Sequence, residues 1–295
     1  MKRVILASNP YRDNGFQTVR AAQKVLQEAG IDSRVCLPFD VDRSFQLPKD
    51  IRFARLDKEL HNAEAVICLG GDGTILHMAK LATRHRIPVI GVNIGTMGFI
   101  AELESSELHE LARLAADDFA LDSRMMLDVI VKRGQDVIFH DIALNDATIT
   151  KGAVARIVHL NVCCDSVQAM DFGGDGLIIS TPTGSTACSL SAGGPIVEPD
   201  ARNFIITPIC AHAIAAKSIV TAPSRTISVR ISKMGRRNAF LSVDGGRAYR
   251  ITPGDVITIR RADTETRLVQ LKETSFFEIV NKKFYEIVNK KFYVG

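Results

Sequence analysis

Leu69-Gly70-Gly71-Asp72-Gly73-Thr74 is the stretch on which the reading of this chain turns. An apolar run over residues 65–69 ends in three glycines set around one carboxylate, and a helix-like segment over 74–86 follows at once. Strand, glycine turn and helix form the geometry that points backbone N–H groups at a phosphate. A carboxylate inside such a turn repels phosphate. Asp72 therefore reads as placed for chemistry or metal contact rather than for anion binding. A tight turn with Asp72 as a helix N-cap is the plainer alternative.

Outward from this turn, the first part of the chain alternates strand and helix signals. Strands are expected over 4–7, 33–37, 65–69 and 88–92. Helical spacing of Val19, Ala22, Val25, Leu26 and Ala29 predicts a helix over 16–29, closed by Gly30. Leu108, Leu111, Leu114 and Ala115 predict another over 106–120. Such alternation implies parallel strands joined by crossover helices, a Rossmann-like α/β domain over 1–120. Ligands on such sheets sit at the carboxyl ends of the strands, where the glycine turn falls.

Near residue 121 the texture becomes β-rich. Strands are expected over 127–132, 137–144, 154–162, 176–180, 226–232, 239–243 and 256–260, separated by turn residues such as Gly134, Gly235 and Pro253-Gly254-Asp255. Residues 121–265 read as a second domain, a layered sheet or sandwich. The remainder, 266–295, holds a tandem duplication: Glu278-Ile279-Val280-Asn281-Lys282-Lys283-Phe284-Tyr285 recurs from Glu286 to Tyr293. Two copies do not make a solenoid, and at most one is expected to pack as the fold requires.

Composition bounds the function. The chain has 295 residues, 46% hydrophobic and 24% charged, as expected of a globular protein with substantial cores. A net charge of +4 is too mild for a nucleic-acid binder and suits an anionic substrate. The apolar runs are strand-sized, so no membrane association is expected, and Met1-Lys2-Arg3-Val4 reads as the start of a strand rather than a signal peptide. The six cysteines are scattered without metal-site spacing, which reads as free thiols in a reducing cytoplasm.

Two further loops carry chemistry. Gly91-Val92-Asn93-Ile94-Gly95-Thr96-Met97-Gly98-Phe99 is a second glycine-rich turn after an apolar strand. Farther on, Asp171-Phe172-Gly173-Gly174-Asp175-Gly176 leads through an apolar strand into Thr181-Pro182-Thr183-Gly184-Ser185-Thr186-Ala187-Cys188-Ser189-Leu190-Ser191. Small hydroxyl residues and glycines let a ligand approach the backbone and supply many hydrogen-bond partners.

Taken together, residues 70–76, the loop 93–99, the pair Asn145-Asp146 and the block 175–197 resemble the NAD kinase family, in the family's order and over most of the chain. The GGDG turn is shared with diacylglycerol and sphingosine-type lipid kinases and with phosphofructokinases. The block 175–197 separates this sequence from them. The resemblance implies transfer of the γ-phosphoryl of ATP to the 2′-hydroxyl of the adenosine ribose of NAD, giving NADP. It also implies Mg²⁺ or another divalent cation on the donor phosphates, a C-terminal segment returning to the first domain, an active site between the domains and a homo-oligomer, dimer or tetramer.

Site residues follow from the same resemblance. Asp72 matches the family's catalytic acid, orienting the ribose hydroxyl and accepting its proton. Gly73 matches a backbone contact to the dinucleotide. His77 matches a basic or polar contact, with a surface histidine as the alternative. Asn145 and Asp146 match the Asn-Asp/Glu pair on the bound dinucleotide, and Asp175 matches an acceptor for ligand hydroxyls. Thr186, Ala187, Ser189 and Ser191 would line the base and ribose pocket. Arg156 stands where the family places a contact from a neighbouring subunit, or is a solvated strand arginine. No residue is assigned as a metal ligand.

Some positions depart from the pattern. Cys188 stands where a base-stacking tyrosine is common, Gly246 where a glutamine is frequent, and Gly173 where some members carry a basic residue. Two other readings remain at this level: a lipid kinase sharing GGDG, and a dinucleotide-binding module without catalysis. Retention of Asp72 argues against the second.

Overall fold

The computed structural model describes residues 1–95, 98–152, 157–213, 215–232 and 239–292, with side chains to 285. The chain divides into two compact units, Met1–Ser123 with Arg267–Gly295, and Arg124–Thr266.

The first unit is built on an eight-stranded sheet. Its strands are β1 (Arg3–Ser8), β2 (Asp32–Cys36), β3 (Phe53–Ala54), β4 (Ala65–Gly70), β5 (Val89–Asn93), β6 (Leu103–Glu104), β7 (Ala120–Arg124) and, from the far end of the chain, β20 (Thr266–Gln270). They run in the order β3-β2-β1-β4-β5-β20-β7, with β6 also paired to β5. Strands β3 to β5 pair in parallel with their neighbours. The order runs outward from β1 to β3, then resumes on the other flank at β4. That reversal, between β1 and β4, is the place where open parallel sheets bind ligands, beyond the strands' carboxyl ends.

Both faces of this sheet are covered, which explains its uninterrupted apolar strands. Alternate residues point to opposite faces. Val4, Leu6, Ile67, Leu69, Ile90 and Val92 share one core with Val19, Ala22 and Leu26 of α1 (Gln17–Glu28). Ile5, Ala7, Val66, Cys68 and Val89 share the other with Ile75, Met78 and Ala82 of α3 (Asp72–Arg84). A single turn, α2 (Leu56–Glu59), lies between β3 and β4. The segment expected as a helix over 106–120 forms instead a 3₁₀ stretch, Ser105–Ala116, kinked at Glu107. Leu108, Leu111 and Leu114 recur every third residue, which aligns them on one face of a three-per-turn helix, and all three are buried.

The first copy of the octapeptide, and the second as far as Phe292, lie in one helix, α5 (Phe276–Phe292). Ser275 and Glu278 exchange bonds across its first turn, Glu278 accepting from the Ser275 N–H at 2.9 Å. The first copy buries Val280 and Lys283. A shift of eight residues turns a helix by roughly 80° beyond two full turns and advances it about 12 Å.

The second unit is all antiparallel. One sheet runs β15 (Ile219–Thr221), β14 (Phe204–Ile209), β13 (Gly176–Ser180), β10 (Asp146–Lys151), β17 (Ala239–Val243), β18 (Tyr249–Ile251). The other runs β12 (Val167–Gly174), β11 (Val158–Cys164), β16 (Ile227–Ser232), β19 (Asp255–Arg261), β8 (Leu127–Arg133), β9 (Asp136–Ala143). Alternate residues of both sheets meet in one core, with Leu127, Val129, Leu160, Val162, Val229, Ile257 and Ile259 from one and Ala147, Ile149, Leu177, Ile179, Phe204 and Leu241 from the other. The unit is a sandwich. A short helix, α4 (Cys188–Ser191), follows β13. Of the strand expected over 154–162, residues 158–162 belong to β11, while residues 153–156 lie outside the described residues.

Candidate active site

Asp72 is the first residue of α3, directly beyond β4. Gly71, in extended conformation, ends the strand run, so the helix starts two residues earlier than the apolar pattern predicts. Its carboxylate accepts the Phe99 N–H on Oδ2 at 2.7 Å and the Ile100 N–H on Oδ1 at 3.3 Å. The loop after β5 thus grips the acid from one side, and a carboxylate has acceptor positions to spare. Gly98 makes this possible: a Cβ there would lie 1.8 Å from Asp72 Oδ1. Phe99 is in turn covered by Lys283, whose Nζ sits 4.3 Å from the ring centroid. Gly73 is exposed, and a Cβ on it would meet nothing within 4 Å. The fold itself does not require glycine at 73.

Beside this turn lies the loop after β1. Asn9 fixes it: its N–H donates to Leu69 O at 2.9 Å and its Nδ2 to Thr74 Oγ1 at 3.0 Å. Asp13 is buried, accepting from Ser8 Oγ and from the N–H groups of Thr18 and Val19 at the start of α1. Between these anchors, exposed Arg12 lays its guanidinium over two glycine turns at once. Its Nη1 is 3.3 Å from where a Cβ would stand on Gly71, and equally 3.3 Å from one on Gly95.

His77 lies one turn into α3 from Gly73, exposed, edge-on to Phe39 with centroids 6.3 Å apart. It borders a cavity of about 990 Å³ walled by Phe39, Leu60, Leu81, Arg84 and His85.

In the second unit, Asp146 opens β10 and pairs with Ser180 at the end of β13. Asp244 holds this corner. Its carboxylate accepts the N–H groups of Leu144, Asn145 and Asp146, at 2.8, 2.8 and 3.0 Å. Thr181 and Gly184 close on the same backbone: Thr181 N–H donates to Asn145 O at 2.9 Å, and a Cβ on Gly184 would lie 2.1 Å from that oxygen. Asn145 Oδ1 is buried without a hydrogen-bond partner, an acceptor left for a ligand. Asp146 is nearly fully buried, and burial raises its pKa above the usual carboxylate range, against a smaller lowering by the Thr148 hydroxyl. Cys188 is exposed at the start of α4; burial of its sulfur first, and the Asp146 charge second, raise the thiol's pKa.

The loop from Thr183 to Ser191 gathers at this corner. Thr186 and Ala187 are half-buried and Ser191 is exposed. Ser189 is turned inward: fully buried, its hydroxyl pairs with Thr207 Oγ1 at 2.8 Å. Asp175 is not brought to this corner. It precedes β13 and faces the other end of β10, where its backbone oxygen accepts the Lys151 N–H and its carboxylate pairs with Lys151 Nζ at 2.5 Å. Five strand steps separate Asp146 from Lys151, roughly 17 Å. Arg156 lies outside the described residues.

Comparison with known proteins decides the family. The model of the ATP-NAD kinase N-terminal domain matches residues 4–119, and that of the ATP-NAD kinase C-terminal domain matches 144–271. The chain belongs to the ATP-NAD kinase family. It is 36% identical to an NAD kinase of Acetivibrio thermocellus over 278 residues, 94% of this chain and 95% of that one. It is 41% identical to an NAD kinase of Trichlorobacter lovleyi over 251 residues, 84% of this chain and 87% of the relative. In fold it resembles the yeast NADH kinase solved with NADH, with a TM-score of 0.83 at 22% identity, covering 100% of this chain and 89% of that one. It also resembles an NAD kinase from Archaeoglobus fulgidus solved with ATP, with a TM-score of 0.71 at 23% identity, covering 95% and 98%.

Three features of this ATP-NAD kinase family member escape sequence reading. Arg12 follows an apolar strand in Asn9-Pro10-Tyr11-Arg12-Asp13, a turn-rich signal after β1 that names a loop but not its neighbour. Asp244 sits in an Asp-Gly-Gly turn whose partner lies about a hundred residues away. Gly98 is one glycine among several until Asp72 is seen against it. Among the described residues, no three His, Cys, Asp or Glu side chains stand close enough to hold a metal ion, and no helix is long and apolar enough to cross a membrane.

Proposed function

We propose that this chain transfers the γ-phosphoryl group of ATP to the 2′-hydroxyl of the adenosine ribose of NAD, giving NADP. The observation that carries the reading is Asp72, a carboxylate held by two backbone N–H groups at the carboxyl end of β4, beside the point where the strand order reverses. Asp72 orients the ribose hydroxyl and accepts its proton. Phosphoryl transfer passes through a loose transition state, so a rigidly held acid contributes through position more than through base strength. Gly73 leaves its backbone open to close approach by the dinucleotide. The orphaned Asn145 Oδ1 and the Asp146 carboxylate accept hydrogen bonds from it. Thr186, Ala187 and Ser191 line the pocket, while Ser189 braces it from beneath through Thr207. His77 supplies a polar contact on the exposed side of α3.

The described residues form no side-chain cage for a metal, so Mg²⁺ or another divalent cation would come bound to the donor's phosphates and neutralise charge there. The placement of Asp175 away from Asn145 and Asp146 supports a homo-oligomer, dimer or tetramer, in which Asp175 and Arg156 serve the dinucleotide held by another copy. The composition supports a cytoplasmic protein.

A dehydrogenase-coupled assay for NADP with ATP and Mg²⁺ tests the reading. Asp72→Asn keeps an acceptor for the Phe99 N–H, so it is expected to fold and bind NAD while kcat falls at least about a hundredfold. Near wild-type turnover by this variant would refute the role of Asp72. Tight NAD binding by the wild type without NADP formation would favour a non-catalytic dinucleotide-binding module.

A further inference from the structure

We propose that Arg12 binds the phosphates of the phosphoryl donor, an inference that rests on the phosphoryl-transfer reading above. Arg12 follows β1 and the GGDG turn follows β4, and these two strands flank the reversal of strand order. The guanidinium lies flat across the second of the paired glycines. From the Cβ position of Gly71, Nη1 is 3.3 Å, Cζ 3.4 Å and Nε 3.8 Å away, and Nη1 is also 3.3 Å from the Cβ position of Gly95. A Cβ at 71 or 95 would crowd it by a few tenths of an ångström, so glycine at both positions leaves the arginine its full room.

The arginine is held without being used up. Asn9 O accepts the N–H groups of Arg12 and Asp13, at 3.1 and 3.0 Å, and Asn9 is tied to both β4 and α3. The acids nearby bond other groups: Asp13 to Ser8, Thr18 and Val19, Asp72 (with acceptor positions to spare) to Phe99 and Ile100, and Asp42 to the Tyr11 hydroxyl. No ion pair to Arg12 is present among the described residues. An exposed guanidinium fixed over two glycine turns, with its fork of donors unpaired among the described residues, matches the oxygens of a phosphate bidentately, which an ammonium does not. It also resolves the charge problem of the turn. Asp72 repels the donor's phosphates, and Arg12 places a compensating positive charge on the same surface.

The test compares wild type with Arg12→Gln and Arg12→Lys. Calorimetric titration of inorganic tripolyphosphate at low salt reads donor-phosphate binding without turnover. NAD affinity is titrated separately, and far-UV circular dichroism checks the fold. Arg12→Gln is expected to weaken tripolyphosphate at least tenfold and to raise KM for ATP by a similar factor, with the Kd for NAD within twofold of wild type. Arg12→Lys is expected to recover part of the loss, since it restores charge but not the fork. The proposal is overturned if tripolyphosphate does not bind the wild type, if Arg12→Gln binds it within twofold of wild type, or if NAD affinity falls in step with it. Failure of the wild type to make NADP while tripolyphosphate binding still depends on Arg12 would sink the kinase reading and leave this site standing.

Discussion

Replacing Gly98 by alanine tests how Asp72 is held. An ideal Cβ at 98 would lie 1.8 Å from Asp72 Oδ1, 2.3 Å from Cγ and 2.7 Å from Oδ2. No bond rotation at residue 98 relieves this, because the position of Cβ is set by the backbone. Either the carboxylate swings away or residues 98–100 retreat, and both break the bonds from Phe99 at 2.7 Å and Ile100 at 3.3 Å. A hydrogen bond to a charged group is worth about 1.5–3 kcal/mol, and the longer bond adds little, so the loss is about 2–3 kcal/mol. For a chain of 295 residues that corresponds to roughly 3–5 °C in Tm. Thermal unfolding by circular dichroism measures the first effect, and NADP formation the second, expected to fall at least tenfold as Asp72 loses its orientation. The decisive comparison is a double-mutant cycle with Asp72→Ala. With the carboxylate gone, Gly98→Ala clashes with nothing the clamp supplies, and its added cost is expected below about 0.5 kcal/mol, a coupling of about 2 kcal/mol. Wild-type stability of Gly98→Ala, or strictly additive costs in the cycle, would refute the clamp.

Two further outcomes follow from the same geometry. Gly73 has open space where a Cβ would go and sits inside α3, so Gly73→Ala is expected to stabilise the fold by about 0.5–1 kcal/mol while raising KM for NAD at least tenfold; an unchanged KM would show that nothing approaches that backbone. Asp146 has its pKa raised by burial, so the folded protein takes up a proton there before the unfolded chain does. Stability from this group is therefore lost as pH rises from the ordinary carboxylate range through the raised value, and gained as pH falls. NAD affinity should move the opposite way, weakening as pH falls through the same window. Asp146→Asn is expected to flatten both slopes, and calorimetric NAD titrations across pH 4–8 that leave its profile identical to wild type would exclude the ionised form as the acceptor.

The sequence was legible where the signal is local. The apolar runs of β1, β4 and β5 announce themselves because both faces of a parallel sheet are buried. Strands such as β10, Asp146–Lys151, and β12, Val167–Gly174, read poorly because one side of each faces a polar or exposed surface, which breaks the run with Thr, Lys, Gln and Asp. Leucine spacing predicts a helix over 106–120 but not its type, because three leucines at three-residue spacing fit both the α and the 3₁₀ period over so short a segment. In the site, the small-residue loop over 183–191 was evident from composition, yet the inward turn of Ser189 was not, since its partner Thr207 comes from another strand.

What the sequence determined by itself is the set of local geometries: a glycine turn carrying Asp72 into a helix, a Thr/Ser/Gly loop after an apolar strand, an α/β half followed by a β half. These depend on neighbours within a few residues, whose spacing the chain states outright. Tertiary structure decided which of these parts meet. Strand order set the β1 loop beside the β4 turn and so laid Arg12 over Gly71 and Gly95. Antiparallel register put Asp175 at one end of β10 and Asp146 at the other. Close packing of two loops made Gly98 the residue that lets Asp72 be held. Each is a contact between segments far apart in the chain, fixed by the burial of sheet faces and the pairing of backbone groups, and local spacing carries no record of it.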